Sequence, residues 1–199
     1  METIDITPEE MEKRIARLDD LKPNKNELAE RAGIPPEAYE FVAAKDIFLL
    51  MAKPKDAELS NSQPVIEGPD GASVYVVGTP PNDGPTPHAH MTTYETFMPL
   101  TGRYRFDYGR NAKHSTIVNP FEMISVPPGV IRQFTNIEDF ETRMLVIIQG
   151  EDENALNDII MPPSVGAEIA ERWGEQTKAK IEEMGMLFNA DEESAEAAE

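Results

Sequence analysis

The sequence predicts an all-β core flanked by helical segments at both ends of the chain. Between residues 62 and 150, short stretches of alternating apolar and polar residues are separated by closely spaced turn signals, a pattern typical of a small antiparallel barrel or sandwich. On either side of this region, apolar residues recur at helical spacing instead. No internal repeat is visible, so the 199 residues predict one barrel rather than two.

The N-terminal segment, residues 1–58, is predicted to be helical. Thr7, followed by Pro8 and Glu10, is a helix start signal, and Asn26 can cap a second helix that ends at Gly33. A third helix is expected to begin at Pro35-Pro36 and to continue to about residue 51. Residues 28–34 resemble part of a helix-turn-helix, but their acidic flanks favour an ordinary helix hairpin packed on the barrel.

The barrel is assigned to residues 59–150. Its predicted strands cover residues 73–77, 95–100, 103–108, 116–118, 123–126, 132–136 and 142–148. The second and third of these are expected to form a hairpin about Gly102. In the third, alternation places Tyr104, Phe106 and Tyr108 on one face and the charged residues on the other.

The C-terminal segment, residues 151–190, is again predicted to be mostly helical. Pro162-Pro163 ends the barrel region, and a long helix follows Ser164 and stops near Gly185. Residues 191–199 contain five acidic residues and no basic ones, which predicts a disordered acidic tail.

Composition excludes several classes of function. Lysine and arginine number 18 against 37 aspartate and glutamate, a net charge of −19, which argues against nucleic acids and anionic membrane surfaces. There is no cysteine, so any bound metal must use histidine and oxygen ligands. The N-terminus lacks the features of a signal peptide and no apolar run approaches membrane-spanning length, so we expect a cytoplasmic protein.

Two histidines and a glutamate form the strongest candidate site. His88 and His90 are two residues apart, so on a strand both imidazoles point to the same face, and Glu95 can approach from the neighbouring strand. Two imidazoles and one carboxylate form an open triad that suits divalent iron, manganese, nickel or zinc. The alternative is a pair of surface histidines in a loop, because Pro85 and Pro87 precede them.

The spacing around these residues resembles the cupin superfamily. The stretch from His88 to Gly102 reads H-x-H, four residues, E, six residues, G, as in the first cupin motif. The stretch from Pro127 to Asn136 resembles the second motif, P-x-G-x-x-H-x-x-x-N. The resemblance covers roughly residues 62–150 and has three departures: Gly84 lies closer to the histidines than usual, Phe121 replaces a glycine, and Arg132 replaces the last histidine ligand.

The resemblance implies a single-domain cupin barrel of the jelly-roll (double-stranded β-helix) type. Because barrel strands leave edges and the amphipathic terminal helices need an apolar surface to cover, we expect a two-fold homodimer in which terminal segments contribute to the interface. The resemblance further implies a divalent ion held by His88, His90 and Glu95, with iron(II) favoured and manganese, nickel or zinc open. The implied function is a metal-dependent enzyme, a dioxygenase acting on a small organic acid or diketone-like substrate. Cupin lyases, isomerases and decarboxylases use the same ligands, and a non-catalytic small-ligand-binding or sensor protein is the competing class.

Arg132 determines how this site should differ from the metal sites of other cupins. A guanidinium has no lone pair to donate, so Arg132 cannot be a ligand. It can pair with Glu95 and displace the metal, bind a substrate anion, or face solvent if the strand shifts; Phe134, at i+2, favours an inward direction. We expect Arg132 to bind the anionic substrate, and Tyr104 to be a second candidate catalytic residue as an acid or hydrogen-bond donor.

The expected substrate pocket is an apolar cup with this polar floor. Its predicted lining consists of Phe97, Tyr104, Phe106, Val126, Phe134, Met144 and Val146. The third histidine, His114, follows a polar turn and is expected to be exposed.

Overall fold

A computed structural model of the chain describes residues 1–23, 29–30, 32–54, 64–150 and 158–191. The strands in these ranges are β1 (Asp46–Ala52), β2 (Ile66–Glu67), β3 (Ala72–Thr79), β4 (Ala89–His90), β5 (Tyr94–Pro99), β6 (Tyr104–Tyr108), β7 (His114–Val118), β8 (Ile124–Val126), β9 (Arg132–Asn136), β10 (Thr142–Gln149), β11 (Ile159–Ile160) and β12 (Met186–Leu187). The helices are α1 (Pro8–Glu12), α2 (Pro36–Val42), α3 (Pro163–Trp173) and α4 (Glu175–Glu183), with 3-10 turns at Leu18–Asp20 and Arg110–Ala112. Within the described ranges, every helix is too short or too polar to cross a bilayer.

Two sheets pack face to face to form the barrel, as the fold-class prediction requires. The larger sheet has the order β2-β1-β3-β10-β5-β8, and the smaller has the order β7-β6-β9. Their inward-facing side chains form one core, in which the rings of Phe97 from β5 and Phe106 from β6 lie 5.1 Å apart. A third small sheet, β12-β11-β4, joins the C-terminal extension to the strand that carries His90.

The predicted hairpin of residues 95–100 and 103–108 is wrong, although both strands exist. β5 pairs with β10 and β8, whereas β6 pairs with β7 and β9 in the opposite sheet. Gly102, with φ of +65°, lies where the chain crosses between the sheets, and an added Cβ there would lie 2.2 Å from the Thr142 side chain. The alternation within β6 is as predicted, because Tyr104 and Phe106 are buried while Arg103 and Arg105 are exposed.

The third predicted helix is also shorter than expected. It is α2, which ends at Val42, and residues 46–52 form strand β1 instead of continuing the helix to residue 51. The run Ile47-Phe48-Leu49-Leu50-Met51 fits helical spacing in part, but β1 gains an antiparallel partner along β3, where Phe48 pairs with Val76. Tertiary pairing therefore overrides the local periodicity.

The N-terminal and C-terminal extensions share an apolar core of their own. Thr7 caps α1 with a reciprocal capping box to Glu10, as its start signal predicts. The predicted long C-terminal helix is divided into α3 and α4 by Gly174, whose φ of +89° is incompatible with continuous helix. A second apolar core joins the N-terminal and C-terminal extensions through Ala29, Ile34, Tyr39, Val42, Met161, Val165, Ile169 and Ile181. The predicted Asn26 cap, residues 28 and 31 of the helix-turn-helix-like segment and residues 192–199 of the predicted tail lie outside the described residues.

The homodimer remains a prediction. β7 is an edge strand whose residues are mostly exposed, and Ile117 and Phe121 near it are 52% and 75% exposed. Association of two chains at this edge would bury these exposed apolar side chains and could pair the free side of β7. We expect the chain to elute as a two-fold dimer at micromolar concentration in size-exclusion chromatography with light scattering. A monomeric mass across that concentration range would contradict this prediction.

Candidate metal centre

His88, His90 and Glu95 converge as the sequence predicts. His90 lies on β4, His88 is held extended by a bridge to Arg132, and Glu95 lies on β5. The Nε2 atoms of His88 and His90 lie 3.9 and 3.8 Å from Glu95 Oε2, and one ligand atom from each of the three residues falls within 4.8 Å of the others. Donors around one divalent ion lie about 3–4 Å apart, given bond lengths of about 2.0–2.2 Å. The residue types and the two distances to Glu95 therefore suit a single divalent ion.

The second nitrogen of each imidazole ring is engaged away from the site. His88 Nδ1 is 2.8 Å from the Thr86 carbonyl oxygen, and His90 Nδ1 is 3.1 Å from Asp158 Oδ1. Because both partners are acceptors, each neutral ring donates from Nδ1 and keeps its lone pair on Nε2, the atom that faces Glu95. Burial, and next the charge of Arg132, lower the pKa of His88 to about 3, so this ring stays neutral.

Arg132 points into the barrel and pairs with Glu95. Its side chain is 1% exposed, and Nε and Nη2 donate to Glu95 Oε2 at 2.9 and 2.5 Å. Burial opposes ionisation of Glu95, but Arg132 and the two imidazoles outweigh it and leave the pKa of this carboxyl below its ordinary value. Nη1 of Arg132 is buried and makes no hydrogen bond within the described part of the chain.

This geometry corrects two of the expectations for Arg132. The solvent-facing alternative is wrong, because the side chain is buried. The direct substrate clamp is also not what the structure shows, since the guanidinium is held by Glu95 and is not among the described residues that line the cavity. Pairing with Glu95 does not by itself exclude a metal. Both hydrogen bonds end on Oε2, the oxygen that also faces the two imidazoles, so coordination of an ion would use the second carboxylate oxygen or displace one of these hydrogen bonds.

The three candidate ligands line a cavity of about 360 Å³. Phe97, Phe134 and Val146 line it, as predicted. Phe106, Val126 and Met144 are buried in the barrel core but do not line the cavity. Their side chains pack against other core side chains. Alternation shows that a residue points inward, but it does not show whether that residue packs in the core or lines a pocket.

Tyr104 does not occupy a catalytic position. Its ring is fully buried in the barrel core, where it contacts Phe134 edge to face, and its hydroxyl accepts a hydrogen bond from Thr142 Oγ1 at 2.7 Å. It is not among the described residues that line the cavity. The phenol therefore satisfies a polar group of the core. His114 is exposed at the start of β7, as predicted, with its ring beside that of Tyr108.

Three residues of the site were not anticipated from the sequence. Tyr39 on α2 and Tyr75 on β3 line the cavity, and Asp158 stands behind His90. Burial, and next the proximity of Tyr75, raise the pKa of Tyr39 to about 12, while burial is the largest cause of the raised pKa of Tyr75, to which the charge of Glu95 adds. Both phenols therefore remain protonated hydrogen-bonding groups. No motif marks these positions, because tertiary packing alone brings them to the site.

Residues 75–148 match the family model of the cupin domain. No curated protein matches the chain. Among solved structures, the chain is similar to the cupin domain of Schizosaccharomyces pombe Cnp3, with 15% identity, a TM-score of 0.39 and coverage of 53% of this chain and 65% of that domain.

It is also similar to a sugar phosphate isomerase from Silicibacter pomeroyi, with 22% identity, a TM-score of 0.37 and coverage of 41% of this chain and 52% of that one. A third similar structure is titled for the DMSP lyases RdDddP and RnDddQII, with 18% identity, a TM-score of 0.42 and coverage of 53% and 47%. The chain thus spans less than two thirds of each of these three structures. Likenesses this distant carry no argument about substrate.

Proposed function

The chain belongs to the cupin superfamily, and we propose that it is a metal-dependent enzyme that acts on a small anionic organic molecule. The observation that supports this most strongly is the convergence of His88, His90 and Glu95 on the wall of one cavity, with the two Nε2 atoms 3.9 and 3.8 Å from Glu95 Oε2. A divalent ion held by these ligands would supply Lewis acidity and open coordination positions. Iron(II) is the ion we favour, and manganese, nickel and zinc suit the same ligands.

The protein residues prepare the site in three ways. The hydrogen bonds on the two Nδ1 atoms orient the imidazoles, so that their lone pairs face inward. Arg132 holds Glu95 ionised and in place. Most of the cavity wall is apolar, and apolar surroundings strengthen the electrostatic interactions among the charged groups of the site.

The charges of the site support an anionic substrate. Glu95 and Arg132 cancel each other, and the Asp158 carboxylate beside His90 adds one negative charge, so a bound divalent ion would leave about one uncompensated positive charge at a buried site. An enolate or carboxylate on the substrate offsets that charge. The anionic substrate that we expected would therefore bind at the metal centre rather than through a direct contact with Arg132.

The cavity limits the rest of the substrate. At about 360 Å³ it is near the small end of the range for ligand pockets, and its walls include Val42, Leu49, Met161 and Met186. A small organic acid or diketone-like molecule with an apolar body fits such a space. The phenols of Tyr39 and Tyr75 can donate hydrogen bonds to a polar group on that body.

The reaction class we propose is a dioxygenase reaction, in which both atoms of one dioxygen molecule enter each substrate molecule. Protein reconstituted with iron(II) is mixed with small β-diketones and 2-oxo acids in an oxygen electrode. We expect dioxygen uptake in a one-to-one ratio with substrate loss. Substrate loss without dioxygen uptake would replace this proposal with a lyase, isomerase or decarboxylase. Binding of a probe without any product would favour a small-ligand-binding or sensor protein.

A further inference from the structure

We propose that Asp158, which belongs to the C-terminal extension, is a positioning residue that fixes His90 as a metal ligand. This inference rests on the metal centre proposed above. Asp158 lies 68 positions beyond His90 in the sequence and outside the residues that match the cupin domain, yet its Oδ1 is 3.1 Å from His90 Nδ1. The extension would therefore supply a functional part of the site and not only a cover for the barrel.

Asp158 is itself held in place by several groups. The backbone N–H and the hydroxyl of Thr92 both donate to Asp158 Oδ2 at 2.7 Å, and the Met91 backbone N–H donates to the Asp158 carbonyl oxygen at 3.1 Å. The next residue, Ile159, pairs with His90 in the ladder between β11 and β4. The two carboxylate oxygens of Asp158 therefore have separate partners: Oδ2 accepts from Thr92, and Oδ1 faces His90 Nδ1.

The consequence for His90 is chemical. An ionised carboxylate cannot donate, so the contact requires a proton on His90 Nδ1 and leaves the lone pair on Nε2. That nitrogen is the one that lies 3.8 Å from Glu95 Oε2. A carboxylate on the outer nitrogen also raises the basicity of the ring as a ligand, and losing such a partner typically costs 10–100-fold in metal affinity.

The same segment forms part of the cavity. Ile159 and Met161 line it, and β11 pairs with β12, whose Met186 lines it as well. Asp158 therefore links two features: when the C-terminal extension packs in place, its carboxylate orients His90. A change that loosens the extension is expected to weaken metal binding without altering any ligand.

The first test uses metal-free protein and needs no substrate. With three histidines in the chain, ¹⁵N spectra of the imidazole rings can be assigned by single substitutions. We expect His90 to carry its proton on Nδ1 in the native protein, and Asp158→Ala to shift the ring toward a mixture with the Nε2-protonated tautomer. Asp158→Asn is expected to preserve the Nδ1 proton in part, because its amide oxygen still accepts a hydrogen bond. An unchanged His90 spectrum in Asp158→Ala would overturn the inference.

The second test is titration of metal-free protein with Zn²⁺. We expect Asp158→Ala to weaken binding 10–100-fold and Asp158→Asn to fall between it and the native protein. Asp107→Asn is the matched control, because Asp107 also accepts hydrogen bonds, from Arg105 and Gln133, but on β6 away from the ligands. This control should bind as the native protein does. If the native protein binds no Zn²⁺, the proposed function fails; if it binds and Asp158→Ala binds equally well, only the role of Asp158 is wrong.

Discussion

The double substitution His88→Ala with His90→Ala is expected to abolish stoichiometric binding of divalent ions while the barrel stays folded. The two imidazoles supply two of the three donors, and the remaining carboxylate is engaged by Arg132. An open catalytic site contributes less to folding than a closed structural one, so the far-ultraviolet circular dichroism should be preserved. Metal content after dialysis against Fe²⁺ or Zn²⁺, measured by mass spectrometry of the elements, provides the comparison.

His114→Ala is the matched control for this experiment. His114 is exposed on β7 and lies in the other sheet from Glu95, so its loss should leave the metal content unchanged. A double variant that retains as much metal as His114→Ala would show that the ion binds elsewhere. That result would remove the basis for assigning a metal to this cluster.

Arg132→Ala is expected to lower the free energy of unfolding of the metal-free protein by about 3–5 kcal/mol, the usual cost of removing one partner from a buried ion pair. The side chains of Arg132 and Glu95 are 1% and 10% exposed, so little solvent is present to replace the lost partner. A divalent ion can take the place of the guanidinium beside Glu95. We therefore expect added metal to stabilise Arg132→Ala more than it stabilises the native protein, as measured by urea unfolding with and without Zn²⁺.

Arg103→Ala and Arg132→His complete the comparison. Arg103 pairs with Glu138 at the surface, so its loss should change stability by less than about 1 kcal/mol. Arg132→His puts an imidazole at the position of the usual fourth ligand and should bind Zn²⁺ more tightly than Arg132→Ala does. If Arg132→Ala unfolds at the same urea concentration as the native protein, the buried pair does not hold Glu95 in the manner we infer.

Much of the barrel and the first layer of the site could be predicted from the sequence. Alternation located β5, β6, β9 and β10 to within a few residues, because more and less buried positions alternate along these strands. The two-residue spacing of His88 and His90 placed both rings on one face, and the position of Arg132 relative to Phe134 indicated an inward guanidinium. These features depend on local periodicity, which a single sequence records directly.

The predictions that were wrong concern features that depend on which strands become neighbours in the folded chain. Residues 46–52 contain enough apolar positions for either a helix or a strand, and pairing with β3 decides the outcome. Gly102 indicated a turn but not that the chain passes to the opposite sheet there. Tyr39, Tyr75 and Asp158 reach the site from separate elements, and no spacing in the sequence brings them together. The sequence left several partners open for Arg132, and the contact with Glu95 is visible only in the folded structure.

The central claim, a metal held by two imidazoles and a carboxylate, is tested most directly by X-ray absorption at the metal edge of protein loaded with one equivalent of Fe²⁺ or Zn²⁺. We expect a shell of nitrogen and oxygen donors at about 2.0–2.2 Å with outer-shell scattering from two imidazole rings. The chain contains no cysteine, so a sulfur contribution from thiolate is excluded. A spectrum with only oxygen donors and no imidazole scattering would contradict the account.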